Sequence, residues 1–443
     1  MSQLIRGGTV ITMNPQYEIL QDASILVENN RIAAILPANS KLEHSHAETF
    51  DASNLVIIPG FIQTHIHLCQ TLFRGLADDL QLLDWLREKI FPMEATHDEQ
   101  SIYISAKIGI AELIRSGTTT ILDMGTIHHE EEIIRAIGET GLRAFVGKAM
   151  MDINDIFPGL KESTNDSLRS TLALAERWHN SYNERIKYAA APRFVLSCSD
   201  SLMRDAYEMI NNFQGMLFHT HASENTIEIE QVRNRCKKDN VEFLHELGLL
   251  SERTCLAHCV HLNETEFKLL QSTKTNVAHC PSSNLKLGSG IANIPKLLHK
   301  GITVSLGADG APCNNNLNMF QEMRLASLIQ KPIHGPSTMN AKSVFEMATI
   351  NGAHALGLGN EIGSIEVGKK ADLTFLNLED IQNPYSTFNN IYSSMVFSSG
   401  PENVDSVMID GGWVYRKKEL LTIDVHKSRA AAKKELHKLI HRL

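Results

Sequence analysis

Three regimes of hydrophobic patterning divide the chain. At the N-terminus, apolar and polar positions alternate over short runs, LIRGGTVITMN and then ASILVENNRIAAIL, each closed by Gly, Asn or Pro. That is the pattern of half-buried strands joined by tight turns. Matching runs return near the other end in ADLTFLNL and VDSVMIDGGWVYRKKELL, so residues 1–57 and 362–422 are expected to pair into one small β-sandwich. Residues 423–443 are expected to form a terminal helix.

Between these ends, short apolar runs alternate with helix-length amphipathic segments, the signature of βα units. Eight runs qualify as strands: LVIIPGFIQTH, TTTILDM, RAFVGKAM, IKYAAAPR, MLFHTH, TCLAHCV, NVAHCP and TVSLGADG. Eight strands are what a closed barrel needs, so residues 58–361 predict an α/β fold, a (β/α)8 TIM barrel. The gaps hold helix candidates such as DEQSIYISAKIGIAELIRS and ENTIEIEQVRNRCKKDNVEFLHEL, whose apolar residues recur every three or four positions.

Composition narrows the function classes. The net charge of −9 opposes a phosphate-tracking surface, so no nucleic-acid partner is expected. The basic stretch from His426 to Leu443 reads as one solvated helix. No apolar run approaches the roughly 18 residues of a membrane span, and the start lacks a signal peptide's layout, which predicts a cytoplasmic protein with no membrane partner. The 7 cysteines contain no C-x-x-C pair and read as reduced, mostly buried thiols.

In a barrel of this kind, chemistry sits at the C-terminal ends of the strands, where the loops converge. Reactive residue types fall there. His65 and His67 close the first strand at i, i+2 spacing, which sends both side chains to one face. An H-x-H pair alone is weak, because 20 histidines yield about one by chance; His44 and His46, in the polar stretch KLEHSHAET, read as surface loop. The fifth strand ends in His219, His221 and, three residues on, Glu224; the sixth offers His258 and the eighth Asp309. His219 shares the inward face of His221 one layer deeper, as a packed histidine or a support to the site.

His65, His67, His221 and Asp309 make a suitable shell for one divalent metal, with Zn²⁺ the leading choice and Fe²⁺ the alternative. Such a metal brings the pKa of water toward neutrality. Glu224 is then placed as the acid/base group, and His258 as a group that polarises a developing oxygen charge. Read singly, each residue could be a satisfied polar core group.

Together these motifs resemble the amidohydrolase superfamily, in its branch of nucleoside, nucleobase and triazine aminohydrolases. The resemblance runs through PGFIQTHIHLCQTLFRG, HTHASE, LAHCVHL, AHCPSSNLKLGSG, LGADGAPCNNNLNMFQEMR and GSIEVGKKADL. It implies that His65, His67, His221 and Asp309 bind the metal, while Glu224 and His258 do acid/base and polarising work with Asp309. The segment LFRGLADDLQLLDWLREKIFPME is similar to deaminases of 5′-deoxyadenosine, methylthioadenosine and S-adenosylhomocysteine. That similarity implies Glu94 on the ribose hydroxyls and makes Trp85 a substrate contact. Arg193 and Phe194, in APRFVLSCS, replace a histidine common in methylthioadenosine/S-adenosylhomocysteine deaminases; with Gln70 they also resemble guanine deaminase.

The expected partner is thus a small purine nucleoside in a salvage reaction, handled by a homo-oligomer. Guanine, pterin or s-triazine hydrolysis on the same metal is the rival, because fold does not fix function. Other signatures are absent or spoiled. H-x-E followed by P-C-x-x-C does not occur, and Gly363 to Lys369 mimics a P-loop but is followed by Lys370 and a strand, so it reads as a turn. A non-enzymatic scaffold would be expected to lose Glu224 and His258.

Overall fold

The computed structural model describes residues 2–38, 40, 47–154, 157–379, 383 and 390–443; His44 and His46 lie outside them. Both ends of the chain join one 9-stranded sheet. N-terminal strands Ser2–Ile11, Ile19–Glu28 and Arg31–Leu36 continue through Val56–Pro59 into C-terminal strands Leu373–Leu376, Val404–Ile409 and Gly412–Arg416. Its alternating inward residues, among them Ile5, Ile25, Val27, Ile57, Phe375 and Met408, form a separate apolar cluster.

The run LVIIPGFIQTH therefore splits. Val56–Pro59 pairs in the terminal sheet, and only Phe61–His67 enters the barrel. Gly60 makes the transition, because a β-carbon there would come within 2.1 Å of Thr119.

The other barrel strands are Thr118–Met124, Arg143–Gly147, Ile186–Pro192, Leu217–Ala222, Thr254–His258, Asn276–His279 and Val304–Leu306, each parallel to its neighbour. The eighth run closes the ring in two pieces. Val304–Leu306 pairs with the seventh strand, then Asp309 and Gly310 pair with Ile66 and His67 of the first. Ile62, Leu122, Phe145, Leu217 and Ala278 fill the lower interior with Ala353 and Leu356 against them, so the barrel is a packed core and not a pore.

Of the two helix candidates, Glu99–Arg115 is continuous and begins with an Asp98 capping box. The second breaks into Thr226–Cys236 and Asn240–Glu246 at Lys237, which takes a left-handed φ of 59°. The lid segment runs from Leu82 to Ala95, with a π-helical turn at Leu86–Ile90 just before Pro92. The terminal helix Val425–Arg442 packs chiefly on Glu99–Arg115, and its Leu439 joins an apolar cluster with Leu82, Trp85 and Phe91.

Barrel and terminal sheet are tied by a buried ion pair. Arg143, on the third barrel strand, donates to Asp372 Oδ2 at 2.6 Å and to Asp410 Oδ1 at 3.1 Å. All 7 cysteines are free thiols, six of them buried. Among the described residues no helix is long and apolar enough to cross a membrane.

Candidate active site

The first-strand register carries His65 and His67 to the top of the barrel, level with Asp309. There His65 Nε2 and His67 Nε2 lie 3.3 and 3.4 Å from Asp309 Oδ1, and His67 Nε2 lies 3.3 Å from His221 Nε2. A tetrahedral shell with bonds of about 2.1 Å has edges of about 3.4 Å, so these three separations match three of its six edges; His65, His67 and Asp309 form one group able to hold a metal, and His65, His221 and His258 form another.

The opposite ring nitrogens explain why the Nε2 atoms converge. His67 Nδ1 donates to the Met124 carbonyl at 2.7 Å, and His221 Nδ1 donates to the Arg193 carbonyl at 2.7 Å. Carbonyls only accept, so both rings carry their proton on Nδ1 and leave Nε2 as a lone pair. For His65 the same result is reached through a relay. His219 Nδ1 donates to the Cys255 carbonyl at 2.9 Å, which leaves its Nε2 as acceptor for His65 Nδ1 at 2.8 Å. His219 thus supports His65 from one layer below. The His65 Nε2 atom is buried and has no hydrogen-bond partner among the described residues, a state suited to a metal donor.

The electrostatics agree. Burial first, then repulsion from His65, pushes His67 down to about 3. Burial likewise holds His65, His219 and His221 below the ordinary imidazole value, so all four rings are neutral at pH 7. Asp309 turns its Oδ1 toward His65 and His67. Its other oxygen, Oδ2, accepts from Ser283 Oγ at 2.7 Å.

Glu224 faces this cluster from the loop after the fifth strand. Burial, with the negative charges of Asp309 and Glu228 nearby, raises its pKa well above the usual carboxylate range, so the carboxyl holds a proton readily. His258 Nε2 lies 3.4 Å from Glu224 Oε2 and 3.8 Å from Asp309 Oδ2, and its Nδ1 donates to Asn284 Oδ1 at 2.9 Å. His258 (φ 74°), Asp309 (φ 62°) and Ser223 (φ 53°) all sit in the left-handed region. Such backbone strain concentrates at functional sites.

A partly enclosed cavity opens over the cluster. Its polar wall holds Gln70, Arg193, Glu224 and Glu228, and its apolar wall Leu82, Trp85, Leu86, Phe194 and Leu287. Gln70, Trp85, Arg193 and Phe194 thus share one cavity with His67, His221, His258 and Asp309. Glu94 stands behind them. Its carboxylate accepts from Arg193 Nη1 at 2.9 Å and Nη2 at 3.2 Å, and from Gln70 Nε2 at 2.8 Å.

Sequence reasoning passed over four functional neighbours. Ser283 and Asn284, which hold Asp309 and His258, lie in the motif AHCPSSNLKLGSG but were legible there only as part of a resemblance. Glu228 closes an N-x-x-E capping box that fixes the loop after Glu224, accepting from the Glu224 amide at 2.9 Å; that spacing was the available signal. Leu287 left no polar signature.

A closed barrel with neutral imidazoles and a carboxylate converging at its mouth defines a metal-dependent hydrolase scaffold. The chain belongs to the amidohydrolase family, whose model matches residues 56–414. More specifically, it is 38% identical over 91% of its length to a 5′-deoxyadenosine deaminase of Methanothermobacter thermautotrophicus, covering 92% of that protein. It is 35% identical over 98% of its length to a 5-methylthioadenosine/S-adenosylhomocysteine deaminase of Moorella thermoacetica, covering 99% of it. Among solved structures, a zinc-bound adenosine deaminase from Xanthomonas campestris superposes with a TM-score of 0.92 at 28% identity, covering 99% of this chain and 98% of that one.

Proposed function

We propose that this protein is a metal-dependent aminohydrolase that converts a 5′-modified adenosine to its inosine counterpart and ammonia. The observation that carries this reading is the meeting of His65, His67, His221 and Asp309, at the edge lengths of one coordination shell, with Glu224 and His258 on the same cavity. These four ligands would hold one divalent ion per chain. Their nitrogen and carboxylate donors suit Zn²⁺ first and Fe²⁺ second. The ion would supply the Lewis acidity that makes water nucleophilic at neutral pH.

The remaining work falls to side chains. Water enters and ammonia leaves, so protons must pass from the incoming oxygen to the departing nitrogen. Glu224, buried and inclined to hold a proton, moves them at its carboxyl oxygen. His258, fixed by Asn284 through Nδ1, can stabilise the oxygen that gains charge when its Nε2 carries a proton to donate. Arg193 and Gln70 face the purine edge, while Trp85 and Phe194 offer aromatic surface to the base and sugar. The apolar Leu82, Leu86 and Leu287 favour an uncharged 5′ group, as in 5′-deoxyadenosine or methylthioadenosine, over the amino-acid end of S-adenosylhomocysteine.

The test is a panel of 5′-deoxyadenosine, methylthioadenosine, S-adenosylhomocysteine, adenosine, guanine and an aminotriazine, followed by ammonia release. Highest kcat/KM on one of the first two supports the assignment. Preference for guanine or the triazine overturns the substrate and leaves the reaction type standing.

A further inference from the structure

Three consecutive residues after the seventh barrel strand hold three different partners. Ser283 donates to Asp309 Oδ2 at 2.7 Å and Asn284 accepts from His258 Nδ1 at 2.9 Å, so one turn of chain serves both the metal-binding carboxylate and the polarising imidazole. Ser282 faces the other way. Its hydroxyl donates to Glu322 Oε1 at 2.6 Å and its amide to Glu322 Oε2 at 3.2 Å. Glu322 comes from the neighbouring helix Met319–Leu328, and it caps the helix Pro281–Lys286, whose own N-cap residue, Cys280, contributes no side-chain cap.

The same carboxylate reaches Asp309 by a second route. The Asn314 amide nitrogen donates to Glu322 Oε1 at 2.8 Å and to the Ala308 carbonyl at 2.7 Å. That carbonyl belongs to the peptide entering Asp309, whose backbone is held at a left-handed φ of 62°. Asp309 is thus gripped at its side chain through Ser283 and at its backbone through Asn314, and both lines end on Glu322. Glu322 is fully buried, and its partners are these neutral donors, with no cation among the described residues. A buried carboxylate without a cation is destabilising unless hydrogen bonds satisfy it, and packing alone would be served better by an apolar residue. What the carboxylate adds is the capacity to accept from all three donors at once.

We propose that Glu322 is a positioning residue for the reaction, which ties together the loops after the seventh and eighth strands and so sets Asp309 for the metal and His258 for the developing charge. This rests on the metal-dependent aminohydrolase reading above. Glu322 acts through Ser282 and Asn314 and not by contact with the reacting atoms. The Ser282 arm leads to both Asp309 and His258, whereas the Asn314 arm leads to Asp309 alone.

The experiment compares wild type with Glu322→Gln in Zn²⁺ affinity, by competition with a chelating dye, and in kcat on 5′-deoxyadenosine at saturating Zn²⁺. Burial pushes the Glu322 carboxyl up to about 7, so both are measured well above neutral pH, where it is ionised. Glutamine fills the same space but turns its own NH₂ on one of the three donors, so one loop must let go. The Zn²⁺ Kd should rise and the saturated kcat should fall, each about tenfold. That is the lower end of the roughly 10- to 100-fold range for a group supporting a metal ligand, because Glu322 acts one residue further out. In a Ser283→Ala background the effect of Glu322→Gln on Kd should shrink, and in an Asn284→Leu background its effect on kcat should shrink, because the residues act in series. A lowered Tm with Kd and kcat both within about twofold of wild type, or full additivity in both backgrounds, overturns the proposal and leaves Glu322 a structural residue. If Glu322→Gln does not fold, the arms are cut singly: Ser282→Ala should change both Kd and kcat, Asn314→Ala should change Kd more than kcat, and native values in both variants overturn the proposal. If wild type deaminates no nucleoside, the substrate reading falls, and the Zn²⁺ comparison decides the positioning role separately: a raised Kd in Glu322→Gln supports it and an unchanged Kd overturns it.

Discussion

Replacing His219 by Phe should weaken the metal site without touching a ligand. In the native protein His65 Nδ1–H is satisfied by His219 Nε2 at 2.8 Å, and His219 is held by the Cys255 carbonyl at 2.9 Å. Phenylalanine fills a similar volume but accepts nothing, so the His65 N–H is left buried without a partner. Such a group costs about 1–3 kcal/mol, and at about 1.4 kcal/mol per decade the metal dissociation constant should rise about 5- to 150-fold. That range matches the 10- to 100-fold usual for loss of a group supporting a metal-bound histidine. The assay is competition for Zn²⁺ against a chelating dye, with kcat measured at saturating metal. Metal affinity should fall more than saturated kcat does, and His219→Gln, whose side-chain oxygen can accept, should recover part of the loss. Native affinity in the Phe variant would refute the relay and leave His219 as a packing residue.

Other outcomes follow from the same geometry. Glu224→Gln should keep metal and fold, by elemental analysis and circular dichroism, while kcat drops on the order of 10²-fold or more; near-native turnover would remove Glu224 from the proton path. Asn284→Leu should lower kcat with metal content intact, because His258 loses the partner that sets its Nδ1 proton; a concurrent loss of metal would make His258 a ligand. Arg143→Met leaves Asp372 buried without its cation, while the half-buried Asp410 keeps Lys370 at 3.5 Å, and a destabilisation of about 3–5 kcal/mol is expected in urea titration; a change under 1 kcal/mol would show that water reaches the pair. Burial, reinforced by His258, pushes His279 down to about 3 from the ordinary imidazole value of 6.5. The unfolded chain therefore takes up the proton first, and this group's stabilising contribution is present above pH 6.5 and lost as the pH falls toward 3. At pH 5 the loss is about 2 kcal/mol, and His279→Leu should flatten the decline between pH 7.5 and 5 by that amount; an unchanged slope would contradict it.

The strand runs of the barrel were legible because each is a nearly continuous apolar stretch bounded by turn residues, the consequence of burial on both faces. What the pattern could not place was the boundary inside LVIIPGFIQTH. Both halves are equally apolar, and the division depends on the contact between Gly60 and Thr119. The break at Lys237 was hidden for a related reason: a left-handed lysine leaves no mark in helical periodicity. In the site, His65, His67, His221, Glu224, His258 and Asp309 stood out because strand ends concentrate reactive side chains. The pairing of Glu94 with Arg193 spans 99 positions and joins a lid to a strand end, so no local spacing announces it.

The most direct test of the account is to strip the purified protein of metal, restore one equivalent of Zn²⁺ per chain, and follow 5′-deoxyadenosine, counting ammonia and deaminated product together. Expected are no turnover without metal, full recovery at one equivalent, one ammonia per product formed, and neither metal retention nor recovery in His67→Ala. Undiminished deamination by the metal-free protein, or recovery that requires two ions per chain, would contradict it.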